Sequence, residues 1–107
     1  MELILENYNL IITNEAQSDI DQYLYTINYI FDAPITAKKH YDGLYDLFRK
    51  IRKYPTANPI RHDIFLPQYG LNLRRANYKK MAILYTINEN TVYVHRVVAA
   101  SVITAEL

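Results

Sequence analysis

The chain has 107 residues and no cysteine, with half of its residues hydrophobic, about a fifth charged and a formal net charge of +1. That length suits one domain spanning residues 1–107 with one modest core. The missing cysteines exclude disulfides, thiolate-bound zinc and a thiolate nucleophile.

The near-neutral total hides a division along the chain. Residues 1–37 hold six acids and no lysine or arginine, whereas all twelve basic residues lie from Lys38 onward against five acids, giving −6 and +7. A split of this kind can build a one-sided positive field without an extreme isoelectric point. No apolar run is long enough to span a bilayer and no basic-then-apolar leader is present, so a cytoplasmic protein without membrane contact is expected. His40, His62 and His95 lack metal-ligand spacing, and His62-Asp63 alone is too little for a metal phosphohydrolase, so neither a metal nor another cofactor is expected.

In chain order, residues 7–13 (NYNLIIT) alternate weakly and turn β-branched, which predicts a first strand. Asn14 is placed to cap a helix, with Gln17 as its reciprocal partner. Ala16, Ile20, Tyr23, Leu24, Ile27 and Phe31 then recur at helical spacing and predict one core-facing stripe. Asp32-Ala33-Pro34 breaks this helix, and Pro34 opens a second one. The second helix carries Ala37, Tyr41, Leu44, Tyr45, Phe48 and Ile51 on its apolar side and ends before Pro55. Lys38, Lys39, Arg49, Lys50, Arg52 and Lys53 fill most of its other positions, and the last four suit the helix C-terminal dipole whether or not they bind anything.

Residues 55–59 read as a loop, and residues 60–70 as either a loop or a short edge strand at 64–66. Gly70 marks a turn before a strand at 71–76, and two further strands follow at 79–87 and 91–99. The order is β-α-α-β-β-β. It predicts an α+β domain with an antiparallel sheet and two antiparallel helices packed on one face. The last hairpin has two possible registers. If Glu89-Asn90 alone form the loop, Tyr85 lies opposite Val94 and Arg96 shares its face. If Asn88 to Asn90 form it, Tyr85 lies opposite Tyr93 and His95 shares its face. The segment from Val97 continues the last strand or turns into a short helix.

Four stretches in this order, AQSDIDQYLYTINYIF (16–31), APITAKKHYDGLYDLFRKIRKYP (33–55), LRRANYKKMAILYTI (73–87) and NTVYVHRVV (90–98), resemble the RelE/ParE superfamily of bacterial toxins. The resemblance covers most of the chain. It implies the toxin of a type II toxin–antitoxin module, neutralised by a cognate antitoxin and contacting operator DNA only through the antitoxin complex. Two targets occur in the superfamily: DNA gyrase, and mRNA on the ribosome.

Metal-independent RNA cleavage needs a base for the 2′-hydroxyl, cations around the phosphate and an acid for the leaving oxygen. Carried over from the resemblance, Arg74 corresponds to the arginine of the Tyr-Arg strand, a phosphate clamp in the nuclease branch. Tyr85 and His95 are the meander side chains with proton-transfer or stacking capacity. These three are the candidate catalytic set. Arg49, Arg52, Lys53, Arg61, Arg75, Lys80 and Arg96 are the candidate target-binding cations. Arg74 and Arg75 are neighbours in a strand, so at most one faces a given groove.

The C-terminal segment departs from the family. Ala99, Ala100 and Ser101 stand where many members place a glycine followed by arginines, and no arginine, lysine, histidine or tyrosine follows Arg96. The departure weakens the endonuclease expectation and favours a ParE-like gyrase inhibitor. A non-toxic binding module that keeps the fold is the third expectation.

Overall fold

The computed structural model describes residues 8–103. Strand β1 (Asn9–Ile12) leads into helix α1 (Asn14–Tyr25), which continues as a π-helical turn over Thr26–Ile30. Helix α2 (Pro34–Lys53) follows, then short 3-10 turns at Pro55–Ala57 and Pro67–Tyr69. Strands β2 (Arg74–Tyr78), β3 (Met81–Asn88) and β4 (Thr91–Ala99) close the domain, and β4 runs into a 3-10 turn at Ala100–Val102. The expected α+β order is therefore the one observed. Asn7, at the start of the predicted first strand, lies outside the described residues. Among those residues no helix is long and apolar enough to cross a membrane.

The four strands lie in the order β1-β4-β3-β2. The pairs β2–β3 and β3–β4 are antiparallel, as expected of two tight hairpins, but β1 joins β4 in parallel. The sheet is thus mixed rather than wholly antiparallel. Tyr23 bonds His40, and Asp21 and Tyr41 line one groove, so the two helices run antiparallel as predicted.

Three local departures have physical causes. Thr13, rather than Asn14, caps α1, because its backbone is extended and its hydroxyl accepts the Ala16 N–H at 3.2 Å. The α1 stripe buries Ala16 and Ile20 but leaves Phe31 70% exposed. The π turn inserts a residue into the helix, with the Phe31 N–H donating to the Thr26 carbonyl at 3.0 Å, and so rotates Phe31 off the stripe. The tight β3–β4 turn places its positive φ on Glu89 (56°), not on an asparagine.

The sheet is covered on both sides. Ala16, Ile20, Leu44, Phe48 and Ile51 of the helices pack on Ala76, Ile83, Tyr85, Val92, Val94 and Val97 of the strands. Helix α2 approaches β2 closely at Gly43, where a Cβ would stand 2.7 Å from two carbons of the Tyr78 ring. On the opposite face the long 58–73 connection lays Leu66 and Leu73 over Leu84, with Ile64, Tyr69 and Ile103 around them. Residues 64–66 form no strand, and only Ile60 bridges to Arg74.

Candidate functional site

A single bulge in β4 arranges the polar residues of the meander. Tyr85 pairs with Val94, the register of a two-residue Glu89-Asn90 loop, but Leu84 pairs with Arg96, so His95 is an extra residue opposite the Leu84–Tyr85 step. The first of the two registers is the one present. Its corollary, Arg96 on the Tyr85 face, is overturned: the bulge shifts the alternation and puts Arg96 with Leu84, on the face covered by the 58–73 connection.

The three candidate catalytic residues consequently do not converge. Tyr85 is fully buried in the helix-side core. Its hydroxyl donates to the Pro55 carbonyl at 2.6 Å and accepts from the Asn58 amide at 3.2 Å. Burial raises its pKa, against weaker opposing effects of Asn58 and Arg74. Tyr85 therefore acts as a core residue that ties β3 to the end of α2, and it presents no hydroxyl to solvent. Arg74 pairs with Tyr85 across β2–β3, and its guanidinium donates to the Asn58 carbonyl at 2.5 Å. His95 belongs to the other face.

There His95 sits in a compact polar and aromatic cluster. Its ring stacks on Tyr69 at 5.0 Å and 25°, and on Tyr93 at 6.4 Å and 21°. Its Nε2 shares a 2.8 Å hydrogen bond with the Thr86 hydroxyl. Beside it, Arg96 holds Asp19 through two bonds, Nε to Oδ2 at 2.7 Å and Nη2 to Oδ1 at 3.1 Å, and lies 3.4 Å from Glu15. The Arg96 and Asp19 side chains are only 18% and 17% exposed. Asp19 Oδ2 also accepts the Val97 N–H at 2.9 Å. β1 stops pairing at Val94, and α1 then lies along the free edge of β4, where Asp19 satisfies an amide that no strand reaches. Tyr69 completes the cluster by donating to Glu15 at 3.1 Å.

Burial lowers the pKa of His95, against a smaller raising effect of Glu15, and burial together with Lys79 lowers that of His40. Both imidazoles are therefore neutral in the fold over a pH range in which the unfolded chain, near its ordinary value of 6.5, binds protons. The stability they contribute is complete above that value and is lost as pH falls from it toward the folded pKa values. Urea titrations between pH 7.5 and 5.5, above the carboxylate range, are expected to show decreasing stability with acid. The His40→Gln/His95→Gln protein is expected to show a flatter profile, and equal slopes in the two proteins would contradict this assignment.

The candidate target-binding cations lie on several surfaces. Arg49 and Arg52 are exposed on α2, with Arg49 paired to Asp46 at 2.5 Å and Arg52 donating to the Tyr8 carbonyl at 2.9 Å. Lys53 stands 5.8 Å over the Tyr54 ring. Arg61 is bound to Asp63 at 2.7 Å, and that bond holds the Asp63 carboxyl down at about 2. Arg75 donates to Asn77 at 2.9 Å on the face opposite Arg74, and Lys80 is exposed in the β2–β3 turn. Arg96 is committed to Asp19. Only Arg49, Arg52 and Lys53 share one element's end. Asp19, Glu15 and Tyr69 were not among the site residues expected from the sequence, where Glu15 and Asp19 suit only the positive N-terminal end of the first helix. Glu15 and Asp19 stand one helical turn apart, a spacing that puts two carboxylates on one face and is the one local sign of an arginine partner. Among the described residues no three histidines or acids gather in a way that could hold a metal ion.

The four-stranded sheet of order β1-β4-β3-β2 with a helical hairpin on one face is consistent with the fold expected from the sequence resemblance. The chain is similar to a chain of the solved structure "Chromosomal ParDE TA system from P. aeruginosa", with a TM-score of 0.68 over 86% of this chain and 95% of that one. At 14% sequence identity the likeness is one of fold. No protein-family model and no curated protein matches the sequence.

Proposed function

We propose that this protein is the toxin of a type II toxin–antitoxin module, acting in the cytoplasm and held inactive by a cognate antitoxin, and that its target is DNA gyrase rather than ribosome-bound mRNA. The shared fold with a ParDE system supports the module. The observation that carries the choice of target is the separation of Arg74 and Tyr85 from His95 by the thickness of the sheet. Cleavage through the 2′-hydroxyl needs base, acid and phosphate clamp around one phosphate, within about 3 Å of the atoms they serve. Here Tyr85 is spent on Pro55 and Asn58, His95 on Thr86, and Arg96 on Asp19. A gyrase inhibitor needs only a binding surface.

Induced expression of the chain alone is expected to stop growth, with DNA-damage signalling and inhibition of supercoiling by purified gyrase. Co-expression of an antitoxin from the adjacent open reading frame is expected to restore growth. Normal growth with confirmed soluble protein would remove the toxin reading and leave a non-toxic binding module. Ribosome-positioned cuts in translated messages, with gyrase unaffected, would replace the gyrase target by the endonuclease reading.

A further inference from the structure

Helices α1 and α2 give Ala16, Ile20, Leu44, Phe48 and Ile51 to the core, and their aromatic residues lie largely off that stripe. A groove of about 470 Å³ runs between the two helices, lined by Leu24, Tyr25, Tyr29, Pro34 and Tyr41. The rings of Tyr25 and Tyr29 meet at 4.9 Å on its α1 side, and Tyr41 stacks on Tyr45 at 4.7 Å on its α2 side. Six of the ten large apolar side chains exposed among the described residues belong to this hairpin: Tyr25, Tyr29, Ile30, Phe31, Ile35 and Tyr41, at 48–74% exposure. With about 150–250 Å² per aromatic side chain, the four aromatic members alone leave roughly 350–600 Å² in water. That already matches the largest patch of an ordinary monomer. Ile30 and Ile35 carry it toward the ~800 Å² that each partner gives to an interface of standard size.

We propose that two copies of this chain pair through this aromatic face of the helical hairpin. Charge on the groove walls selects that occupant. Among the described residues the groove is lined by two ionised groups, Asp21 on α1 and Lys38 on α2, one of each sign on opposite walls. A two-fold axis along the groove lays α1 of each copy on α2 of the other. Asp21 of each copy then faces Lys38 of the other, and both pairs form together. The same operation brings Tyr25 and Tyr29 of each copy onto Tyr41 of the other, contacts that aromatic rings favour beyond their area. A strongly acidic or strongly basic partner would meet one wall of its own sign, so a second copy fits better than a chain of single-signed charge.

Both wall charges can exchange partners. Lys38 holds Asp42 at 2.9 Å, with the two side chains 77% and 55% exposed, and Asp21 accepts from the exposed Gln17 amide at 3.0 Å. Exposed contacts of this kind are worth little. The backbone at the tip of the hairpin is itself unusual. It closes through the π turn at Thr26–Ile30 and a left-handed Asp32 (φ 52°), and Phe31 between them stays 70% exposed. Both conformations are rare in chains of L-residues, and here they hold a large apolar side chain in water rather than over the core. The pairing does not rest on the toxin reading.

The test is the mass of the full-length protein in solution, by light scattering and sedimentation over a range of concentrations. A concentration-dependent equilibrium between monomer and dimer is expected. Tyr29→Glu, at a residue 67% exposed, should weaken it at least ten-fold. Phe65→Glu, at a ring 79% exposed on the 58–73 connection, should leave it unchanged. Asp21→Lys and Lys38→Asp should each be monomeric where the parent is a dimer, because each sets like charges across the seam. An equimolar mixture of those two variants should recover the dimer, since each then supplies the charge the other lacks. Circular dichroism is expected to find all four variants folded, because every substituted side chain is exposed. A monomer at every concentration up to about 1 mM, a dimer indifferent to Tyr29→Glu, or a mixture no more associated than its two components would overturn the proposal. None of these readouts depends on growth arrest, so the pairing and the toxin reading fail separately.

Discussion

Replacing Asp19 by alanine is expected to lower the unfolding free energy by about 3 kcal/mol, the scale for removing one partner of a largely buried ion pair. Two losses combine. Arg96 keeps its charge in a site where it is only 18% exposed, with Glu15 left as a more distant and more exposed partner. The Val97 N–H at the open edge of β4 loses its acceptor. Asp19→Asn keeps an acceptor for Val97 but not the charge, so a smaller fall of about 1–2 kcal/mol is expected. The double change Asp19→Ala/Arg96→Met removes the stranded charge and should recover part of the loss. Urea unfolding followed by circular dichroism measures all three. For a domain of this size each kcal/mol moves the thermal midpoint by roughly 4–8 °C, so the effect of Asp19→Ala is readily seen. A change below about 1 kcal/mol, the upper scale of a surface pair, would mean that the pair behaves as an exposed one.

Tyr85 distinguishes a core role from a catalytic one. Tyr85→Phe keeps the ring and removes a hydroxyl that donates to Pro55 at 2.6 Å and accepts from Asn58 at 3.2 Å. Leaving those buried partners unsatisfied is expected to cost about 1–2 kcal/mol. Tyr85→Ala adds a cavity under α2 and is expected to cost about 3–5 kcal/mol. Growth arrest per molecule of folded protein should be unchanged in Tyr85→Phe, because the hydroxyl reaches no solvent-facing groove. Loss of activity at near-normal stability would restore Tyr85 to the catalytic set and, with it, the endonuclease reading. Arg74→Ala makes the matching test for the clamp, since its guanidinium is engaged with the Asn58 carbonyl.

The same residues show where local sequence suffices and where it fails. Helix α2 was legible from end to end. Pro34 opens it, its apolar positions recur at helical spacing, and Ala37, Leu44, Phe48 and Ile51 are the residues buried. Both hairpins were legible as neighbours in sequence that pair with each other, but only the β3–β4 turn lies where it was expected: β2 spans Arg74–Tyr78 rather than 71–76, and the β2–β3 turn falls on Lys79-Lys80, inside the strand predicted over 79–87. The end of α1 was not, because a π turn leaves no mark in apolar spacing until it has already displaced Phe31. The β4 bulge was hidden for a related reason. His95 and Arg96 fit either alternation, and the choice depends on Asp19 and Tyr69, which lie 77 and 27 residues from Arg96.

The candidate site followed the bulge. Sequence placed Tyr85, His95 and Arg74 in one meander and so within reach of one another, but membership of a meander does not select a face. One extra residue in β4 moved Arg96 to the face opposite Tyr85 and placed His95 in a cluster where its ring stacks on Tyr69 and its Nε2 bonds Thr86.

By itself the sequence determined the order of elements, the core positions Ala16, Ile20, Ala37, Leu44, Phe48 and Ile51 within helix stripes whose Phe31 and Tyr41 are exposed, and the absence of cations after Arg96, because periodicity, turn residues and composition act over a few positions. The tertiary structure alone decided that β1 joins β4 in parallel, which residues share a face, and which polar groups are already paired. Those outcomes depend on partners about eighty residues apart, Asn9 with Thr91 and Asp19 with Arg96, whose meeting is set by packing the helical hairpin on the sheet rather than by any local preference of the chain.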